Sequence, residues 1–495
     1  MTSRAPEEQA WVGIDLGTQS VRALVVQFDG IVLGSGSSPL TSMRDGHRHE
    51  QDPEQWWTAV CAATRQALVG VNAPIGAVAV DGTSGTILLA NAHSIPLTRG
   101  LMYDDGRAGG HLDEVNRAGE DLWTKLGYRH MQPSWALPKL VWLRQNHPQA
   151  MEEDGTQLLH QTDFINRRLA GRNVATDLSS ALKTGVDLIA ESWPSQIIDS
   201  LHLAASLFPP VVRSGHFVAN VSTEAAEQTG LPEGIPIISG ATDGCAAQLG
   251  AGALNPGDWN SVVGTTLVLK GVSENLLHDP HGVVYSHKGP EGQWLPGGAS
   301  SSGAGVIARD FEGADLRALA LQAAEFHPGA TTYPLVSEGE RFPFAAAGAR
   351  EFTIGHPETA AARYGAVLQG LAFVERLSFD YLGSLGADTS GRLLLTGGAT
   401  NSSYWSQLRA DILGREVWLP QNAEPSLGAA ILAAAGASGR RSPEVAADMV
   451  QIGSVIAPRE DYAGRFDPAY ATFVEHLENR GWLSAGVASH ARRIA

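Results

Sequence analysis

Two strand–turn–strand segments of one design stand far apart in the chain, and they limit what it can fold into. Trp11 to Asp15 is strand-like, breaks at Gly17-Thr18-Gln19-Ser20, and resumes from Val21 to Phe28. Trp259 to Val263 does the same at Gly264-Thr265-Thr266 and returns from Leu267 to Lys270. Each is a hairpin closed by a polar, glycine-containing turn. After the first, Asp29-Gly30 turns again and Ile31 to Gly34 makes a third strand. Three antiparallel strands exclude a dinucleotide-binding opening, which needs a strand followed at once by a helix. A chain of 495 residues also exceeds one ordinary core. The expectation is an α/β protein of two similar domains, 1–236 and 237–495, divided near Pro236.

The rest of the chain fills in this plan. Asp52 before Pro53 reads as an N-cap with proline at the first helical position, for a helix to about Val69. Gly76 to Val80 and Ile87 to Ala90 are strand-like and flank Asp81-Gly82-Thr83-Ser84-Gly85-Thr86. Leu122 to Pro210 reads as a mostly helical layer, with apolar residues at helical spacing over Trp135 to Arg144 and Asp163 to Leu169. Beyond the second hairpin, strands are expected at Val283 to His287 and Gln293 to Leu295, then a small-residue helix near Gly297. Tyr364 to Leu382 is expected as an amphipathic helix. Arg392 to Leu395 is a buried strand that Thr396-Gly397-Gly398-Ala399-Thr400-Asn401 turns into a helix over Ser403 to Leu413. Ser426 to Ala435 is an alanine-rich helix, and the stretch from Asp467 to Leu483 packs back on the body.

The charge narrows the partners. A net charge of −17 argues against a nucleic-acid surface or an anionic membrane. No apolar run reaches the length of a membrane span, and the polar N-terminus has no signal-like core. The two cysteines, Cys61 and Cys245, lie in apolar helical contexts and read as buried free thiols of a reducing compartment. A cytoplasmic enzyme is the expectation, with a homodimer as the candidate assembly.

Chemistry concentrates at Pro236 to Leu254. A short strand ends at Ser239-Gly240, a small-residue helix follows, and Asp243 stands where one gives way to the other. A carboxylate at a helix N-terminus stays ionised and can take a proton from a hydroxyl that attacks phosphorus. Asp243 is therefore the expected catalytic base, in a cleft between the halves. The chain has no G-x-x-x-x-G-K-[ST] phosphate loop. The matched turns at Gly17, Thr18, Gln19 and at Gly264, Thr265, Thr266 offer N–H groups and hydroxyls to phosphate oxygens instead. Asp15 beside the first turn could hold Mg²⁺. Gly397, Gly398 and Ala399 let a flat ring approach the backbone, with Asn401 as a polar contact. His47, His49 and Glu50 have the residue types of a metal site, but their uneven spacing reads as a solvated loop.

Together these residues resemble the FGGY family of carbohydrate kinases over nearly the whole chain. D-L-G-T-Q-S at Asp15 is similar to the family's first phosphate loop, and V-V-G-T-T at Val262 to its second. E-Q-D-P-E-Q-W-W, T-D-F-I-N-R-R-L-A-G and S-G-A-T-D-G-C-A-A-Q-L-G-A-G look like family blocks in family order. L-L-L-T-G-G-A-T-N-S-S-Y-W-S-Q-L-R-A-D-I-L-G resembles the adenosine motif. The resemblance implies two actin-like (ribonuclease H-like) domains, with ATP and a sugar in the cleft, and Mg-ATP-dependent phosphorylation of a sugar or polyol hydroxyl. It places Asp243 as base, Asp15 with the metal, and Thr18, Gly264 and Thr265 on phosphate. Sugar contacts are expected from Ser84, Asp15, Asp105 and Trp135. D-G-T-S-G-T is similar to D-ribulose kinases, where xylulokinases carry Met-His-Gly, while the longer tail after Ser442 resembles xylulokinases. The expected substrate is a ketopentose, D-ribulose favoured, with xylulose or another pentulose or polyol as the alternative. A non-enzymatic actin-like ATP-binding module is the contrasting possibility.

Overall fold

The structure, a computed structural model, describes residues 9–325 and 329–494. It forms two compact units. The first comprises Met1–Leu254, His287–Leu295 and Asn422–Gln451, and the second Asn255–Ser286, Pro296–Gln421 and Ile452–Ala495. The divide expected after residue 236 falls inside the first unit, because Pro236–Ile238 is a strand of its sheet, parallel to Ile75–Gly82.

In the first unit a six-stranded sheet runs in the order Phe217–Asn220, Pro236–Ile238, Ile75–Gly82, Ala10–Leu16, Ser20–Gln27, Val32–Pro39. Ala10–Leu16 is buried at every position, as a strand covered on both faces must be. Val12, Ile14 and Leu16 join the core with Trp56, Val60 and Ala63 of the helix Pro53–Ala67. That helix starts as its sequence predicts, with Asp52 accepting from the Glu54 N–H at 3.0 Å and proline in the first turn. The opposite face meets the alanine-rich helix Pro425–Ser438, which also lies against the helix Asp243–Ala251. A Cβ on Gly428 would stand 1.9 Å from the Ala246 carbonyl oxygen. Only glycine permits that approach, and it seats the helix that begins at Asp243.

The Leu122 to Pro210 region is less helical than its spacing predicts. Gln157–His160 is a strand that pairs with Ile87–Ala90 in a second, five-stranded sheet. Thr176–Asp177 pairs with Val211–Val212. The His47 to Glu50 stretch is a further correction: His49 lies in the strand Arg48–Gln51, is buried, and bonds Asp104 through its ring. Glu50 pairs with Arg107 at 2.7 Å. Among the described residues no three His, Cys, Asp or Glu side chains form a ready-made metal cage.

The second unit repeats the strand plan of the first. Trp259–Val263 runs antiparallel to Leu267–Gly271 and parallel to Leu393–Thr396, as Ala10–Leu16 does with Ser20–Gln27 and Ile75–Gly82. Gly297, expected near a helix start, is instead in the strand Trp294–Ala299, whose end pairs with Val268 to Lys270. The helix comes later, at Gly305–Asp310. The long helix Ala360–Ser384 is buried nearly all round rather than along one stripe. It is sandwiched among the sheet, Ser403–Leu413 and the C-terminal helices. A buried ion pair ties these elements together. Arg409 donates through Nε and Nη2 to Glu375 at 2.7 Å each, and the Ser261 hydroxyl donates to the same carboxylate at 2.5 Å. Asp467–Asn479 packs Tyr470 and Phe473 on Phe373. Cys245 is buried and Cys61 half-buried, and both are free thiols. No described helix is long and apolar enough to cross a membrane.

Candidate active site

The first unit gathers three carboxyl groups at one end of its sheet. Asp15, next to last in the strand Ala10–Leu16, lies opposite Asp81, next to last in Ile75–Gly82, in the parallel register. Gly82 forms a bridge to Thr242, which precedes Asp243. Gly240 is pressed so close to the Val80 carbonyl that a Cβ would stand 1.8 Å away. The chain is thereby led across the end of the Asp81 strand before the Asp243 helix starts.

The three acids have different surroundings. Asp81 is wholly buried, and neither of its oxygens receives a hydrogen bond from a protein N–H or O–H. Burial, then the charges of Asp15 and Asp243, push its pKa well above the usual carboxylate range. Asp15 is raised too, first by burial and then by the Asp243 charge. Asp243 is only partly buried, and its Oδ1 accepts the Gly244 N–H at 2.7 Å in the first helical turn. Asp81 does not stand out in the sequence as a site residue. Its signal is the match between two strands that each carry an aspartate next to the last residue.

The first turn is fixed from outside. Gln51 donates to the Thr18 carbonyl at 2.7 Å, the Leu40 N–H to the Gln19 carbonyl at 2.8 Å, and the Gly17 N–H to the Ser20 carbonyl at 3.2 Å. With these carbonyls and the Gly17 N–H taken up, the N–H groups of Thr18 and Gln19 and the Thr18 hydroxyl are what the turn has to offer a ligand.

Ser84 belongs to the same unit, on the loop that follows Asp81. Its hydroxyl is buried and has no hydrogen-bond partner. The neighbouring Thr83 donates through its N–H and its hydroxyl to Gln161 Oε1, at 2.9 and 2.7 Å. Asp105 differs from Ser84. It is fully buried, accepts from the His49 N–H at 2.7 Å, and is clasped by Arg107 at 2.7 to 3.0 Å. Its charge shapes the turn around Met102 to Arg107. Trp135 is buried at the N-cap of Ala136–Asn146, edge-on to Tyr128.

In the second unit, two turns emerge side by side. Val262 and Thr396 are neighbours in the parallel pair, so Gly264–Thr266 and Gly397–Asn401 leave the same, C-terminal edge of the sheet. Ligands of open α/β sheets bind at such edges. The first turn is braced by the Ala304 N–H on the Gly264 carbonyl at 2.8 Å and the Gly305 N–H on Thr265 at 3.1 Å. Behind it, buried Glu340 accepts from the hydroxyls of Ser300, Ser302 and Tyr333 at 2.8 to 3.1 Å. Gly397 has φ +84°, and a Cβ there would lie 2.6 Å from the Val263 carbonyl. Gly398 faces open space, Ala399 is buried and Asn401 exposed. The cap of Ser403–Leu413 is Ser402, which accepts the Trp405 N–H, and not Asn401.

Comparison with known proteins fits both halves of this arrangement. Residues 10–250 match the N-terminal domain, and residues 259–437 the C-terminal domain, of the FGGY family of carbohydrate kinases. A xylulose kinase of Streptomyces rubiginosus is 31% identical over 454 residues, 89% of this chain and 91% of that protein. The crystal structure of a xylulose kinase from Rhodospirillum rubrum superposes with a TM-score of 0.85 at 25% identity, covering 95% of this chain and 99% of the other. A glycerol kinase from Plasmodium falciparum with ADP shares the fold, with a TM-score of 0.83 at 17% identity over 94% and 98% of the two chains.

Proposed function

This chain belongs to the FGGY family of carbohydrate kinases and is an ATP-dependent sugar kinase, and we propose that its acceptor is a ketopentose, with xylulose foremost. The motif Thr83-Ser84-Gly85 alone argues for D-ribulose. The relatives that match nearly the whole chain are named for xylulose, so D-ribulose becomes the comparison substrate. The observation that carries the sugar assignment is the buried, unpartnered Ser84 hydroxyl beside the strand end of Asp81 and Asp15. A buried polar group without a partner is costly, and a sugar hydroxyl supplies one. Asp15, Asp105 and Trp135 complete the sugar side, Asp105 and Trp135 by shaping it.

Asp243 acts as the general base. It stands at a helix N-terminus, a setting that favours a carboxylate, accepts the Gly244 N–H and is partly exposed, so it is placed to take the proton of the attacking sugar hydroxyl. The γ-phosphoryl group then passes to that oxygen, and ADP leaves. Thr18 and Gln19 in the first unit, and Thr265 and Thr266 in the second, give N–H and hydroxyl donors to the phosphates, while Gly17 and Gly264, whose own N–H groups close their turns, leave room for the phosphates to approach. Gly397, Gly398, Ala399 and Asn401 take the adenosine, for which the open face of Gly398 leaves room.

Mg²⁺ prefers oxygen ligands and commonly takes one or two carboxylates besides phosphate. Asp15, with the unpartnered oxygens of Asp81 at its side, fits that preference. When bound, the ion neutralises charge on the phosphoryl group being transferred. ADP release measured over D-xylulose, L-xylulose, D-ribulose, L-ribulose and common polyols tests the assignment. The highest kcat/KM is expected with D-xylulose. A preference for D-ribulose or for a polyol would overturn it.

A further inference from the structure

The loop that bears Ser84 is fastened at consecutive residues by two lysines from elsewhere in the first unit. Lys139, on Ala136–Asn146, is completely buried. Its ammonium donates to the Gly85 carbonyl at 2.7 Å and to the Met102 carbonyl at 2.7 Å. Lys183 donates to the Ser84 carbonyl at 3.1 Å. Gly85 has φ +95°, and a Cβ there would lie 3.0 Å from the Lys183 side chain. The loop is therefore held down by both lysines and, through Thr83, by Gln161.

A wholly buried ammonium is expensive to keep. The groups around Lys139 are Asp105, Asp104, Lys183 and Arg107, two acids against two bases. None of the acids lies within ion-pair distance of it. What Lys139 does have is one carbonyl from each of two segments: the Ser84 loop, and the Met102 turn that leads into Asp105. An apolar residue of like size would fill the same space without the charge. The ammonium is needed only if the spacing of those two segments matters.

We propose that Lys139 is a positioning residue of the sugar site, pinning the Thr83–Thr86 loop to the Met102–Arg107 turn so that the Ser84 hydroxyl is held ready for substrate, with Lys183 as a second, weaker fastening. This rests on the assignment of Ser84 to the sugar. The carbonyls that the two lysines hold belong to Ser84, Gly85 and Met102, in segments assigned to the sugar and not to ATP, so loss of these bonds separates sugar binding from nucleotide binding.

The experiment is steady-state ADP release with the sugar and ATP varied in turn, on the full-length wild type, Lys139→Met and Lys183→Met, with a thermal melt of each. Lys139→Met should raise the sugar KM by about tenfold or more, the worth of losing hydrogen bonds from a charged donor. ATP KM and kcat at saturating sugar should stay near wild type. Lys183→Met should raise the sugar KM by less. If Lys139→Met does not fold, Lys183→Met decides. An unchanged sugar KM in the folded variants overturns the positioning role, because a purely structural lysine lowers the melting temperature and the active fraction instead. No sugar-dependent ADP release by the wild type would overturn the kinase assignment itself, and Ser84→Ala with an unchanged sugar KM would overturn the Ser84 contact.

Discussion

Asp177 gives a pH-dependent stability change whose size follows from its surroundings. It caps the short helix Leu178–Ala181, accepting from the Ser180 N–H at 2.8 Å and the Ser180 hydroxyl at 2.7 Å. That helix carries Ser179, whose hydroxyl accepts the Thr242 N–H at 3.1 Å, one residue before Asp243. Burial and then the Asp163 charge raise the Asp177 pKa from 3.8 to about 6. The folded chain therefore holds a proton that the unfolded chain has released. The group's contribution is at its most favourable below the unfolded pKa and is lost as pH rises through the folded one. Asparagine removes this loss and can still cap, since its oxygen accepts from the amide and its nitrogen donates to the hydroxyl. A rise of about 2 pH units at 1.36 kcal/mol each makes the loss about 3 kcal/mol at pH 8 and about 1 kcal/mol at pH 4.5. The stability of Asp177→Asn relative to wild type should thus grow by about 2 kcal/mol between those pH values. Urea unfolding followed by tryptophan fluorescence at both pH values measures it, and turnover should stay near wild type. A difference that is flat, or that shrinks as pH rises, refutes the reasoning.

Arg409→Met should cost about 3–5 kcal/mol, because Glu375 is left charged and buried; Glu375→Met with Arg409→Met should restore most of it in the same denaturation assay. Gly398→Ala points a methyl group into open space, so it should melt like wild type while its ATP KM rises. Gly397→Ala meets the Val263 carbonyl at positive φ and should lose about 1–3 kcal/mol of stability, seen as a lower melting temperature. Ser84→Ala should raise the sugar KM and leave the ATP KM unchanged.

Hairpin periodicity was readable because each strand–turn–strand pair carries its own signal. Ile87–Ala90, Trp259–Val263 and Ser403–Leu413 begin and end where their residues predict. Capping chemistry was local too, as Asp52 and Pro53 show. Gly297 misleads because a run of small residues suits a strand under close packing as well as a helix. Phe342 decides it: a Cβ on Gly298 would lie 2.3 Å from that ring. The unit divide lies beyond Pro236 because Pro236–Ile238 joins the first unit's sheet beside Ile75–Gly82, a long-range pairing that no local pattern reports. For the same reason the local pattern makes His49 look solvated: its partner, Asp104, lies 55 residues away. The site was legible in its parts, Asp15, Asp243 and the two turns. Asp81 and Lys139 needed the fold, since register puts one beside Asp15 and two distant carbonyls give the other its purpose.

The most direct test of proton abstraction by Asp243 is turnover of Asp243→Asn on the best sugar, beside its affinity for ATP. The amide cannot take up the hydroxyl proton, so turnover should fall roughly 10²–10⁴-fold, with ATP affinity and melting temperature near those of wild type. Near-normal turnover would remove Asp243 from the role of base.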